Sequence, residues 1–190
     1  MEEIVEIPKE AKLVFKGILF DVYQWQQKVF NGGYQTYERL KRKNSVNVFC
    51  ITEDKKIILL DEEQPGRPPF RTVPGGQIEG GEDSDVSARR EVLEETGYEV
   101  GDLELWQAVY PYGNKIAWTV YSYIARGCKK IQEQHLDGGE RISIRLVTFE
   151  EFIDIALDVD QFQNMEISMK IMQALRDPEE MERLKKFLFG

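Results

Sequence analysis

Apolar residues alternate with polar ones, or run almost unbroken, along most of residues 11–147, and recur at helical spacing beyond that point. A period of two belongs to strands and a period near 3.6 to helices. Residues 11–42 predict a long β-hairpin: KLVFKGILFDVYQW is rich in β-branched and aromatic residues, Asn31-Gly32-Gly33 supplies the turn, and YQTYERLKR returns. SVNVFCIT, a Glu53-Asp54-Lys55 turn and KIILLDEE predict a second hairpin, whose nearly continuous apolar runs suit strands covered on both faces. Residues 62–70 hold three prolines and Gly66, hence a loop, which leads to a short strand Arg71-Thr72-Val73. DLELWQAVY and IAWTVYSYIARG predict antiparallel strands around the loop 111–115, and RISIRLV predicts another strand after an acidic turn. FEEFIDIAL then places Phe149, Phe152, Ile153 and Ala156 at helical spacing. Met165, Met169, Met172 and Leu175 continue that spacing as a stripe expected to pack inward, and Asp177-Pro178 starts a last helix. The expectation is one α+β domain over 1–190 with a mixed sheet: a β extension at 1–45, a core at 46–160 and C-terminal helices at 161–190.

Composition changes the picture mainly by exclusion. A net charge of −9 leaves no basic surplus for coating a nucleic acid, although metal ions and a few basic residues can reverse the field inside one cleft. No apolar run approaches the roughly 20 residues of a membrane span. The stretch MEEIVEIPKE is acidic and lacks a signal-peptide apolar region, which predicts cytoplasmic residence. Cys50 and Cys128 form no C-x-x-C pair, and Cys50 lies in an apolar run as a small hydrophobe. The single histidine, His135, cannot build a histidine-rich metal site, and there is no G-x-S-x-G elbow. A general base in this chain is therefore expected to be a carboxylate.

The chemistry concentrates in GQIEGGEDSDVSARREVLEETGY, residues 76–98. Asp83, Ser84 and Asp85 start a helix running to about Thr96, and Gly97 stops it in the left-handed conformation. Val86, Val92 and Leu93 are expected to turn a face of that helix to the core. Glu91, Glu94 and Glu95 stand at i, i+3 and i+4, so their carboxylates share one helical face. Like charges so spaced repel unless a cation sits among them, and an oxygen-rich set suits a hard ion such as Mg²⁺. Acidic helix faces are usually only solvated. The fixed company of Gly76, Glu82, Arg90 and Gly97 sets this one apart.

With those glycines, acids and arginine the stretch reads G-x5-E-x7-R-E-U-x-E-E-x-G-U throughout, U being bulky and apolar. It resembles the Nudix box, the signature of Mg²⁺-dependent hydrolases that cut nucleoside diphosphates linked to another group. The hairpin before the box and the pattern around Gln64 are similar to the ADP-ribose and nucleoside-diphosphate-sugar pyrophosphatases of that superfamily. The resemblance implies an α/β/α sandwich, commonly a homodimer, and hydrolysis giving two monophosphates. It implies that Glu91 and Glu95, with Glu94 beside them and the Gly75 carbonyl, hold Mg²⁺ or, as a substitute, Mn²⁺. Gly76, Glu82, Arg90 and Gly97 would support the site, and Glu140 would fall where a mobile catalytic glutamate is often found. Two departures stand out. Thr72-Val73-Pro74-Gly75-Gly76 replaces the usual Glu-Leu-Pro-Ala-Gly run, and Gln64-Pro65-Gly66-Arg67 shifts an arginine by one place.

In the expected mechanism water attacks one phosphorus in line, with Glu140 or Glu91 as the proton acceptor. Gln64, Arg67, Arg71 and Tyr112 are the candidate substrate contacts. The competing functions are a nucleoside triphosphate pyrophosphohydrolase, a non-catalytic nucleotide-sensing module and an isomerase. A sensing module would be free to lose helix carboxylates, and an isomerase would want a reactive cysteine.

Overall fold

The computed structural model describes residues 7–136, 139 and 141–190. Its chain order is β1 (Lys12–Lys16), β2 (Asp21–Lys28), β3 (Tyr34–Lys41), β4 (Ser45–Thr52), β5 (Ile57–Glu63), β6 (Phe70–Thr72) and β7 (Gly75–Gln77). Then follow α1 (Ser84–Thr96), β8 (Tyr98–Glu99), β9 (Asp102–Val109), β10 (Ile116–Ala117), β11 (Val120–Lys130), β12 (Arg141–Val147), α2 (Phe149–Leu157), α3 (Met165–Ala174) and α4 (Pro178–Phe189).

The larger sheet runs β12-β5-β4-β11-β8, with β6 on β5, β7 on β4 and β9 on β11. It is mixed, because β4 and β11 are parallel while β5 and β9 run antiparallel to their neighbours. Strand alternation decides which residues serve which face. Val46, Val48 and Cys50 of β4 pack with Ala88 and Val92 of α1, whereas Phe49 and Ile51 pack with Phe152, Ile167, Ile171 and Leu188 of α2 to α4. Near-continuous apolar runs thus mark strands with helices over both faces, an α/β/α arrangement. Phe152 is fully buried at the centre of the second layer, with ring centroids 4.9 Å from Phe49 and 5.8 Å from Phe162. Phe152→Ala is expected to cost about 3–5 kcal/mol, read as a lower midpoint in chemical denaturation.

The β4 edge is shared. Cys50 and Ile51 pair with β5, while Ser45, Val46 and Asn47 pair with β7. Pro74 lies where the chain crosses from β6 to β7, and its carbonyl accepts from Val48 N at 2.8 Å. The strands fork there, and the second half of the acidic helix, with Glu91 and Glu95, stands against the fork. No helix among the described residues is long and apolar enough to cross a membrane.

Several expectations are corrected. The run KLVFKGILFDVYQW is two strands, because the chain turns at Gly17, whose N–H donates to Phe20 O at 3.0 Å, and β1 folds back on β2. The β2–β3 hairpin closes at Asn31-Gly32-Gly33 as expected, with Gly32 at φ +86°. IAWTVYSYIARG is likewise two strands, and β10 joins β3 in a separate four-stranded sheet with β1 and β2. Met165, Met169, Met172 and Leu175 face outward; α3 buries Ile167, Ser168, Ile171 and Ala174 instead. In α1 the inward face is Ser87, Ala88, Val92 and Thr96, and Val86 is exposed.

Candidate active site

Helix α1 ends at Gly97, which adopts φ +71° and donates to Leu93 O at 2.9 Å. A side chain at Gly97 would also run into the Gln132 carbonyl, so the left-handed turn and close contact both call for glycine. Asp83 occupies the N-cap position in an extended conformation but makes no capping hydrogen bond with its side chain. Within this frame the helix presents Glu91, Glu94 and Glu95 to a cleft of about 690 Å³.

Arg90 organises the acids. Its Nε and Nη2 grip both oxygens of Glu82 at 3.1 Å, while Nη1 donates to Glu91 at 2.9 Å and to Glu94 at 3.0 Å. The hydrogen bonds from Arg90 hold the Glu82 carboxyl below its ordinary range, and those to Glu82 raise the Arg90 guanidinium. Glu91 goes the other way. Burial pushes its pKa up, against the pull of Arg90. Its ionised form therefore costs stability, and the cost builds as pH rises from the unfolded-state pKa through the raised folded-state value. Glu91→Gln in metal-free protein is expected to raise Tm at neutral pH by about 1–4 °C, measured by scanning calorimetry.

The β7 strand fits closely against these acids. Gly75 N–H donates to Glu95 Oε2 at 2.8 Å. A Cβ on Gly76 would lie on the Glu91 carboxylate, so the bare glycine makes the cradle for that group. Hard oxygen donors on one face, with a glycine backbone against them, suit a divalent cation in their chemistry. Among the described residues no three His, Cys, Asp or Glu side chains are drawn into a finished metal cluster, and Arg90 is the positive charge shared by Glu91 and Glu94.

The other sequence candidates divide. Gln64 lines the cleft and donates to Glu62 Oε1, and Arg67 lines it with its guanidinium 3.5 Å from the Phe70 ring centroid and 2.7 Å from Gln163 Oε1. Arg71 does not reach the cleft. It alternates along β6 with Phe70 and Thr72, which do, so it points to a separate depression and pairs with Asp61 at 3.1 Å. Tyr112 is also outside the cleft lining, stacked on Trp118 with centroids 5.9 Å apart. Glu140 lies outside the described residues; before it, His135 and Leu136 line the cleft, and His135 N donates to Glu94 O at 2.7 Å. Cys50 is fully buried and burial drives its thiol pKa well up, contrary to what a nucleophile needs.

Sequence reading missed Lys43, Glu62, Glu79 and Gln163, which also line the cleft. A charged Glu62 next to the apolar run of β5, where it is 6 % exposed, was a usable signal. Gln163 gives none, since only the tertiary fold brings the segment after α2 to the cleft.

The family model of the NUDIX domain matches residues 41–166. An "ADP-ribose pyrophosphatase" of Bacillus subtilis (strain 168) is 28% identical over 159 residues, covering 82% of this chain and 85% of that protein. A "Methanol dehydrogenase activator" of Bacillus methanolicus is 29% identical over 145 residues, covering 75% of this chain and 78% of that protein. Among solved structures, "Crystal structure of ADP compounds hydrolase" superposes with a TM-score of 0.67 at 22% identity, covering 80% of this chain and 83% of that one.

Proposed function

The chain belongs to the NUDIX domain family and is a Nudix hydrolase, and from that premise we propose that it uses Mg²⁺ to split the diphosphate of an ADP-ribose-like nucleotide sugar into two monophosphates. The observation that carries this reading is the three carboxylates of Glu91, Glu94 and Glu95 on the cleft wall beside the Gly75–Gly76 backbone. Glu91, Glu94, Glu95 and the Gly75 carbonyl would hold the metal. When bound, the ion supplies charge neutralisation for the diphosphate and lowers the pKa of water nearby. The likeness to a protein named ADP-ribose pyrophosphatase supports the sugar-nucleotide choice.

The protein's own groups do the rest. Arg67, held over Phe70 and steered by Gln163, presents its guanidinium to a phosphate oxygen in the cleft. Lys43 adds a second cation at the cleft. Water attacks one phosphorus, the bridging phosphoanhydride bond breaks, and the water's proton passes to a carboxylate. Glu91, whose burial favours protonation, and Glu140 are the two acceptors this reading proposes. Arg90 keeps Glu82, Glu91 and Glu94 in register rather than touching substrate. The same reading takes the active species as a homodimer, which the exposed Leu13, Phe15, Ile18 and Phe30 in and around the β1–β3 sheet support.

Phosphorus-31 NMR of reactions with Mg²⁺ and ADP-ribose, other nucleotide sugars, dinucleotides or nucleoside triphosphates tests the proposal. Two monophosphates from a nucleotide sugar are expected. Pyrophosphate released only from triphosphates would make the chain a triphosphate pyrophosphohydrolase instead.

A further inference from the structure

The segment between α2 and α3 braces the turn that carries Gly75. Arg71 N donates to Gln161 O at 2.8 Å and Gln163 N to Arg71 O at 2.9 Å, so residues 161–163 lie beside β6 almost as another strand. Asn164 follows, at the N-cap position of α3 and 5 % exposed. An asparagine there ordinarily turns its side chain onto the first turn of its own helix. Here it makes no such bond. Its Oδ1 accepts from Val73 N and from Thr72 Oγ1, each at 2.9 Å. Val73 is buried, so its N–H has no access to water and the acceptor has to come from within the protein.

A second strut lies two residues along. Glu166 of α3 accepts from Asn47 Nδ2; burial raises its pKa, against hydrogen bonds from Asn47 and Asn164 that favour the charged form. Asn47 is the β4 residue paired with Gly75. Asn164 therefore fixes the chain just before Pro74, and Glu166 fixes the strand against which Gly75 lies. Between the two struts stands the glycine whose N–H holds Glu95 at 2.8 Å. The next residue, Gly76, is the one whose missing side chain makes room for Glu91.

We propose that Asn164, seconded by Glu166, is a positioning residue that sets the Val73–Gly76 turn against the carboxylates of α1. The inference rests on the functional reading above for the identity of the reaction. It does not depend on that reading for the placement of the turn. Its energetic logic is that α3 gives up a local cap in favour of a long-range hydrogen bond near the site. The acceptor, rather than helix stability, is what the site requires of residue 164.

The test compares wild type with Asn164→Ala, Glu166→Leu and Glu166→Gln, assayed well below each protein's Tm over a range of ADP-ribose concentrations with saturating Mg²⁺. Binding of Mn²⁺ alone is followed in parallel by electron paramagnetic resonance. Asn164→Ala and Glu166→Leu are expected to lower kcat at least about tenfold, with KM within about threefold, and to weaken Mn²⁺ binding severalfold. Glu166→Gln keeps an oxygen acceptor for Asn47 and is expected to stay within about threefold of wild type in both readouts. A lowered Tm with kcat and Mn²⁺ affinity unchanged in Asn164→Ala would reduce the bond to fold maintenance and overturn the proposal. If wild type cleaved none of the nucleotides, the functional reading would fall, and the Mn²⁺ comparison would still decide the role of Asn164.

Discussion

Replacing Glu94 and Glu95 together by glutamine is expected to lower turnover with Mg²⁺ at least about a hundredfold while leaving the fold in place. Glutamine keeps the size of both side chains and keeps an oxygen at residue 95 for the Gly75 N–H, now at 2.8 Å. What disappears is two negative charges at the cleft. The side chain of Glu94 is 43% exposed and Arg90, its ion-pair partner, retains Glu82 and Glu91, so little stability is at stake. Steady-state kinetics with a matched thermal melt separates the two effects. Unchanged kcat would remove these carboxylates from the mechanism.

Gly76→Ala is expected to lower kcat on the order of a hundredfold with only a small change in Tm. The new Cβ would occupy the place of the Glu91 carboxylate, the end of a flexible side chain that can swing away. Glu91 has other rotamers, so the fold tolerates the methyl; the cleft loses the acid from its working position, and a displacement of about 1 Å suffices for such a loss. Gly75→Ala would behave differently, because its Cβ would meet the Val46 carbonyl and the Asn47 backbone, which cannot swing. That variant is expected to lose stability as well as rate. A Gly76→Ala enzyme of wild-type rate would mean that the contact between Gly76 and Glu91 is irrelevant to catalysis.

The acidic helix was legible in the sequence because everything that defines it is local: the helical period, the start at Ser84 and the stop at Gly97. The strand core was legible for a similar reason, since runs such as VFCI and IILL are apolar on both faces of a pleated strand. Frame errors account for much of the rest. The short strand is Phe70–Thr72 instead of 71–73, and its alternation alone does not say which face meets the cleft, so Arg71 could not be told from its neighbours. On α3 the methionines and the Ile167–Ile171 pair both satisfy helical spacing, and apolarity alone could not say which stripe turns inward. The four-stranded sheet required Gly17 to be recognised as a turn inside an otherwise strand-like run. The Asn164 and Gln163 contacts were beyond reach, because their partners Val73 and Arg67 are about ninety residues away in sequence, 91 and 96 positions respectively.

Arg90 explains how such a crowd of carboxylates exists in the folded protein without metal. Its single positive charge is shared among Glu82, Glu91 and Glu94, leaving the acids assembled but under-compensated. An incoming divalent ion would then find charge already gathered, with burial having raised the Glu91 pKa against keeping it.

Anomalous diffraction from crystals grown with Mn²⁺ and a non-hydrolysable nucleoside diphosphate analogue tests the central claim most directly. The account predicts Mn²⁺ peaks coordinated by carboxylate oxygens of α1 and touching the analogue's phosphates. Analogue bound in the cleft with no Mn²⁺ on Glu91, Glu94 or Glu95 would contradict it.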